Sequence, residues 1–457
     1  MRTLALCSLV LVACAAGQPN TATPAKAPSA EPVVAAVPGA PAIQPSDPNT
    51  RVEDWEGMRI VVRRRPHAEL VTTELVVRGG VAMAEPATLG AEWLGLYTAA
   101  SGGSERLPKQ GFQSRLARLG SAVEPRVEAD GSALEGKSLT AAWPETFDLL
   151  TDAFLHPALP ASELELQRQR QLHQIRQIEE NPDLLLSDLG RRTVFEGTAY
   201  AQRALGTTEV VHRLTVEQVR QALERLRGRN RLLLVVVGNV DPDAVISRAK
   251  AAFGALPPGS PLPAPVRRPS FTSPRVNAIQ RSLPTNYVLA QVPGPSWEDP
   301  DFVAGLVSMR ILADREFEAI RTKRNLTYAV SAGLVSRQRL PLATLYVTAV
   351  DPPTTWRAMQ EEVRRLQEED VEPERLAGAI AELRTRWLME AESTDGEAQQ
   401  LAHAELLGGD WRLERRIPDA FPSVTGPQVK QYARHWLKDW QVAVVGDPAK
   451  VDLSLFR

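Results

Sequence analysis

Two stretches of this chain, about 210 residues apart, repeat one design. LTVEQVRQALERLRGRNRLLLVVVGNVDPDAV (214–245) and VTGPQVKQYARHWLKDWQVAVVGDPAKV (424–451) each run from a threonine through a helical segment into an apolar run closed by glycine. Thr215 and Gln218-Val219 answer Thr425 and Gln428-Val429 at an offset of 210, and Gly238 answers Gly446 at 208. A period of this length is too long for a solenoid repeat and points to two homologous domains. The apolar runs Leu232–Val237 and Val442–Val445 show no polar alternation, so each is expected to be a strand buried on both faces.

A proline-rich break, LPPGSPLPAPVRRPSFTSPR (256–275), separates the copies. Further strands are expected at 59–65, 69–80, 286–293, 327–335 and 343–350. Helices are expected at 90–100, 144–155, 162–180, 215–226, 301–321, 354–368 and 373–392. Strands and helices mix without strict βαβ alternation. The expected class is therefore α+β, with two domains of about 200 residues, each a mostly antiparallel sheet with packed helices. The division is 51–255, a linker at 256–274, and 275–457.

The first fifty residues read differently. Met1-Arg2 precedes about ten apolar residues, Leu4 to Ala13, too few to span a hydrocarbon core of about 30 Å, so 1–13 reads as a signal segment. LVAC, ending at Cys14, resembles a bacterial lipobox, which implies lipidation of that cysteine; an ordinary secretion signal is the alternative. Cys7 and Cys14 are the two cysteines of the sequence, so the mature chain has no internal disulfide. Residues 14–50 read as a tether, with eight prolines among small residues. The expected location is the bacterial cell envelope, lipid-anchored at the outer membrane and facing the periplasm. A net charge of −2 supplies no basic field for nucleic acid.

Several segments occur in an order that resembles the insulinase/pitrilysin family of zinc peptidases: 146–171, 178–189, 200–215, 232–240 and 319–334. The resemblance implies two α+β domains packed as a half-clamshell. It also implies an H-x-x-E-H metal helix, on which residues at i and i+4 share a face and can hold one Zn²⁺. In the register set by Gly102 the family's positions fall on Trp93, Leu96 and Tyr97, and its distal glutamate falls on Gln174, eight residues before Pro182. None is a metal ligand of the family's type. The six histidines, His67, His156, His173, His212, His403 and His435, include no two within four residues of each other. No zinc or other cofactor is expected in this chain, and a Trp–Leu–Tyr cluster is expected where the metal would be.

The resemblance implies a second constellation, an arginine ending a helix and a tyrosine opening the next strand. IRTKRNLTYAV supplies Arg321 and Tyr328. Guanidinium and phenol are donors that can be aimed at a peptide carbonyl as negative charge develops on it. From Ile311 to Arg321 the chain reads ILADREFEAIR, where relatives carry a longer glycine-rich loop. Together these imply one subunit of a two-chain peptidase. This chain supplies Arg321 and Tyr328 to the peptide substrate, and a zinc-bearing insulinase-family partner supplies the metal. A catalytically inactive structural or peptide-binding lipoprotein is the alternative. No Gly-x-Ser-x-Gly or Cys/His pair supports hydrolysis by another route.

Overall fold

The computed structural model describes residues 47–262, 264, 266–447 and 453–456. The signal segment, Cys14 and the tether before Asp47 lie outside them. The first half runs β1 (Thr50–Trp55), β2 (Met58–Arg64), β3 (Leu70–Arg78), α1 (Ala91–Gly102), α2 (Lys109–Leu119), β4 (Ala122–Val127) and β5 (Gly131–Leu139). It continues through α3 (Trp143–Leu155), α4 (Ala161–Glu180), α5 (Pro182–Val194), α6 (Thr208–Arg213), α7 (Val216–Leu226), β6 (Leu232–Gly238) and α8 (Pro242–Phe253). The second half runs β7 (Arg275–Gln280), β8 (Asn286–Pro293), α9 (Phe302–Glu316), β9 (Val330–Val335) and β10 (Leu342–Ala349). It ends with α10 (Pro352–Glu368), α11 (Pro373–Glu390), α12 (Thr394–Gly408), α13 (Leu413–Ala420), α14 (Gly426–Trp436) and β11 (Gln441–Gly446).

Among these residues the sheets are ordered β1-β2-β6-β3-β5-β4 and β7-β11-β8-β10-β9. Apart from the additional β1, the two orders superpose element for element. In each, one pair is parallel (β2 with β6, β7 with β11) and every other pair is antiparallel. The repeat of sequence is thus a repeat of topology. Both threonines open their helices with a reciprocal capping box, Thr215 with Gln218 and Thr425 with Gln428.

All seven residues of β6 and all six of β11 are buried. The reason is an exchange of helices. Leu232, Leu234 and Val236 join the apolar core under the first half's own helices, whereas Leu233, Val235 and Val237 join the core of the second half. On that second face lies α12, which the second half packs across β3 and β6. Reciprocally, α5 leaves the first half to cover the second sheet, seating Leu185, Leu186 and Leu189 on Leu289, Ala443 and Val445. Burial of this kind stabilises by about 1.5–3 kcal/mol per side chain. α5 is started by Asn181, whose side chain accepts from the backbone N–H of Asp183 and Leu184, with Pro182 in the first turn.

The two exchanged helices differ in chemistry. The α5 contact is mostly apolar, while α12 meets a charged sheet face. Arg63 of β2, 2% exposed, donates from Nη1 to Glu397 of α12 at 2.8 Å and to Glu414 of α13 at 2.9 Å. Lys137 pairs with Asp395 at 2.8 Å, and Gln399 donates to Glu135 at 3.0 Å.

Candidate functional site

α1 is the helix on which the expected metal positions fall. It starts at Gly90, whose φ of +93° is disfavoured for other residues, and it ends against Gly103 at φ +81°. A Cβ on Gly90 would lie 2.8 Å from both the Gln171 side chain and the Leu205 carbonyl, so glycine permits the close approach of α4. Gln171, fully buried on α4, donates to the carbonyls of Gly90 at 3.0 Å and Leu205 at 2.8 Å. At the other end of α1, the Ser101 hydroxyl lies 2.7 Å from Glu163 of α4 and accepts from Gln167 at 3.1 Å. The two helices are therefore stitched at both ends by neutral amides, a hydroxyl and one carboxylate. Lys109 closes over Glu163, and its bond holds that carboxyl below the usual range against the opposing effect of burial.

Between the stitches the Trp93 and Tyr97 rings stack, centroids 3.8 Å apart and planes 14° from parallel. Trp93 is buried and Tyr97 half-buried. Leu96 turns into the apolar core beneath the helix, so the expected three-residue cluster is in fact a two-ring stack. Gln174 is half-buried on α4, the helix packed on α1. This arrangement does not fit a zinc ion. An indole and an isobutyl group supply no ligand atom, and among the described residues no three of His, Cys, Asp and Glu come together as a metal-holding group. His173, beside Gln174, is exposed.

Glu92, the one carboxylate on α1, accepts from the Ser132 hydroxyl of β5. Burial pushes its carboxyl up, opposed by that hydrogen bond and by Arg231. It lines a cavity of about 40 Å³ with Gly80, Arg225 and Arg231, room for one or two waters. The pattern H-x-x-E-H could not have indicated this group, because Glu92 precedes the first histidine position, Trp93, and lies four residues before the pattern's glutamate position, Leu96.

Arg321 and Tyr328 stand in the second half, between α9 and β9. Residues 317–323 continue α9 as a π-helical turn, so the stretch expected to replace a loop is unbroken helix to Lys323. Arg321 is exposed and, among the described residues, has no carboxylate partner. Its guanidinium carbon lies 4.8 Å from the centroid of the Phe317 ring. Tyr328 is 83% exposed. It does not open the strand as expected: β9 begins at Val330. The Thr327 hydroxyl accepts from the Ala329 N–H at 3.1 Å and also bonds to Thr348 of β10, which fixes a bend at Tyr328. Strand pairing starts only beyond it.

Two family models match: "Insulinase (Peptidase family M16)" over residues 59–208, and "Peptidase M16 inactive domain" over 213–383. An uncharacterized zinc protease of Streptomyces coelicolor is 23% identical over 390 residues, 83% of this chain and 85% of that protein. The mitochondrial-processing peptidase subunit beta of Lentinula edodes is 20% identical over 413 residues, 86% and 88% of the two chains. Human cytochrome b-c1 complex subunit 1 is 26% identical over 217 residues, 44% of this chain and 45% of that protein. Among solved structures, a peptidase M16 inactive domain from Pseudomonas fluorescens superposes with a TM-score of 0.78 at 18% identity, covering 87% of this chain and 98% of that one. A protease from Helicobacter pylori gives 0.78 at 14%, covering 87% and 99%. The chain belongs to the insulinase family, peptidase family M16.

Proposed function

We propose that this chain is the non-zinc-binding subunit of a two-chain insulinase-family peptidase. In this reading Arg321 and Tyr328 hold the backbone of a peptide substrate while a zinc-bearing partner cleaves it. The observation that carries the reading is the contrast between the two halves. The expected metal positions carry stacked rings, whereas Arg321 stands exposed with no carboxylate partner among the described residues and Tyr328 is 83% exposed. Uncommitted donors on a surface are what a substrate carbonyl requires. Relatives named as subunits of a mitochondrial-processing peptidase and of a cytochrome b-c1 complex support a role within an assembly. The test is a peptidase assay on the chain alone, on a zinc-bearing family member from the same cell, and on the two mixed. The reading expects hydrolysis to require, or to be raised at least tenfold by, the mixture.

The unbroken helix through Lys323 favours a second reading, a scaffold that binds a partner or peptide without promoting cleavage. It expects complex formation with no gain in hydrolysis. In either case the LVAC sequence supports lipid attachment through Cys14 at the outer membrane, facing the periplasm. Membrane fractionation of Cys14→Ser tests that proposal, with release into the soluble fraction as the expected result.

A further inference from the structure

The π-helical turn carries a phenylalanine where solvent-exposed helices ordinarily carry polar side chains. Phe317 is 45% exposed. What it does contact is Arg321, four residues on, with the guanidinium carbon 4.8 Å from the ring centroid.

The neighbouring cations are held differently. Arg310 pairs with Asp314 and Glu382, Arg315 with Glu372, Lys323 with Glu318, and Arg324 with Glu361. Glu318, the acid nearest Arg321 in sequence, is taken by Lys323 and Arg375. Arg321 alone in this segment is held by a ring, and the difference matters chemically. A guanidinium carries its five N–H donors in its own plane. A carboxylate would bind that edge and occupy two of the donors. A ring attracts the cation over its own face without taking up a carboxylate's share of the N–H donors. π-Helical turns are frequent at functional sites.

We infer that Phe317 is a positioning residue for Arg321, holding the guanidinium by its face so that its N–H edge is presented to a peptide carbonyl. The inference rests on the proposed role of Arg321 and adds a specific requirement, an aromatic face at position 317. An apolar side chain of similar volume is not sufficient.

The experiment compares Phe317→Leu, Phe317→Tyr and Arg321→Ala in the full chain, mixed with the zinc-bearing partner. Arg321 Nε–Hε resonances are recorded on the chain alone, assigned with Arg321→Lys. Phe317→Leu is expected to lower kcat/KM by roughly 5- to 50-fold, given how steeply rate depends on placement. Phe317→Tyr is expected to stay within about 3-fold of the parent because it keeps the ring. The upfield ring-current shift of the Arg321 signal should be present in the parent and in Phe317→Tyr and absent in Phe317→Leu. If Arg321→Ala lowers activity while Phe317→Leu matches the parent, the positioning role is overturned and the role of Arg321 stands. If Phe317→Leu and Phe317→Tyr lose activity equally, the ring face is not the determinant and the inference fails. If Arg321→Ala is fully active, both ideas fall together.

Discussion

Trp93 and Tyr97, one helical turn apart on α1, stack with their centroids 3.8 Å apart. In the register expected from the sequence, these are the two positions at which the family's imidazoles would stand. The chain is therefore expected to hold no stoichiometric zinc on elemental analysis, and a chelator should leave its melting temperature unchanged. Because Trp93 is 4% exposed, Trp93→Ala should cost about 3–5 kcal/mol in denaturant unfolding. One tightly bound zinc per chain would refute this account of the helix.

Arg63 predicts how the halves are joined. It is buried between Glu397 and Glu414, both from the second half. Arg63→Ala would remove the buried cation shared by Glu397 and Glu414, leaving them only the more exposed Arg65 at 3.3 Å and Arg415 at 3.8 Å, at a cost of up to about 3–5 kcal/mol. Urea titrations followed by separate probes in each half should then lose their coincidence. A single transition at the parent midpoint would mean that α12 is held without the Arg63 bridge.

Glu74 and Glu135 lie directly opposite each other on β3 and β5, beneath α12. Burial, reinforced by Glu135 and opposed by Arg126, pushes the Glu74 carboxyl up to about 7. An unfolded glutamate ionises near 4.5, so the unfolded chain releases this proton first as pH rises. The contribution of Glu74 to stability is therefore fully present below about 4.5 and is lost as pH rises to about 7, on the order of 2–4 kcal/mol. Glu74→Gln should flatten the stability profile between those values. An unchanged slope would show that Glu74 ionises normally in the folded chain.

Much of the fold is legible in local pattern. The threonine–glutamine capping boxes and the unalternated apolar runs identify the duplicated helix–strand unit, because each depends on residues only a few positions apart. The destination of α5 and α12 is not legible, since an apolar stripe does not say which sheet it will meet. β5 (GSALEGKSL) was missed for a related reason. Its face beneath α12 is ionic, so buried Glu135 reads as a solvent-facing residue. At the candidate site the sequence register alone assigns Trp93 and Tyr97 to metal positions, and the structure adds that their rings stack. The bend that sets Tyr328 off the strand is not legible, because it depends on a hydroxyl contact between Thr327 and Thr348, 21 residues away.

Arg321 is a donor with no acid partner among the described residues. The decisive measurement is kcat/KM of the two-chain complex carrying Arg321→Ala, with assembly checked on the same sample. Loss of one donor aimed at developing negative charge should lower it by roughly 10²–10³-fold, while folding and complex formation survive. If the residue merely ends a helix, the substitution costs at most about 0.3–1 kcal/mol of stability. Full activity in an intact Arg321→Ala complex would contradict the account and leave the scaffold reading in its place.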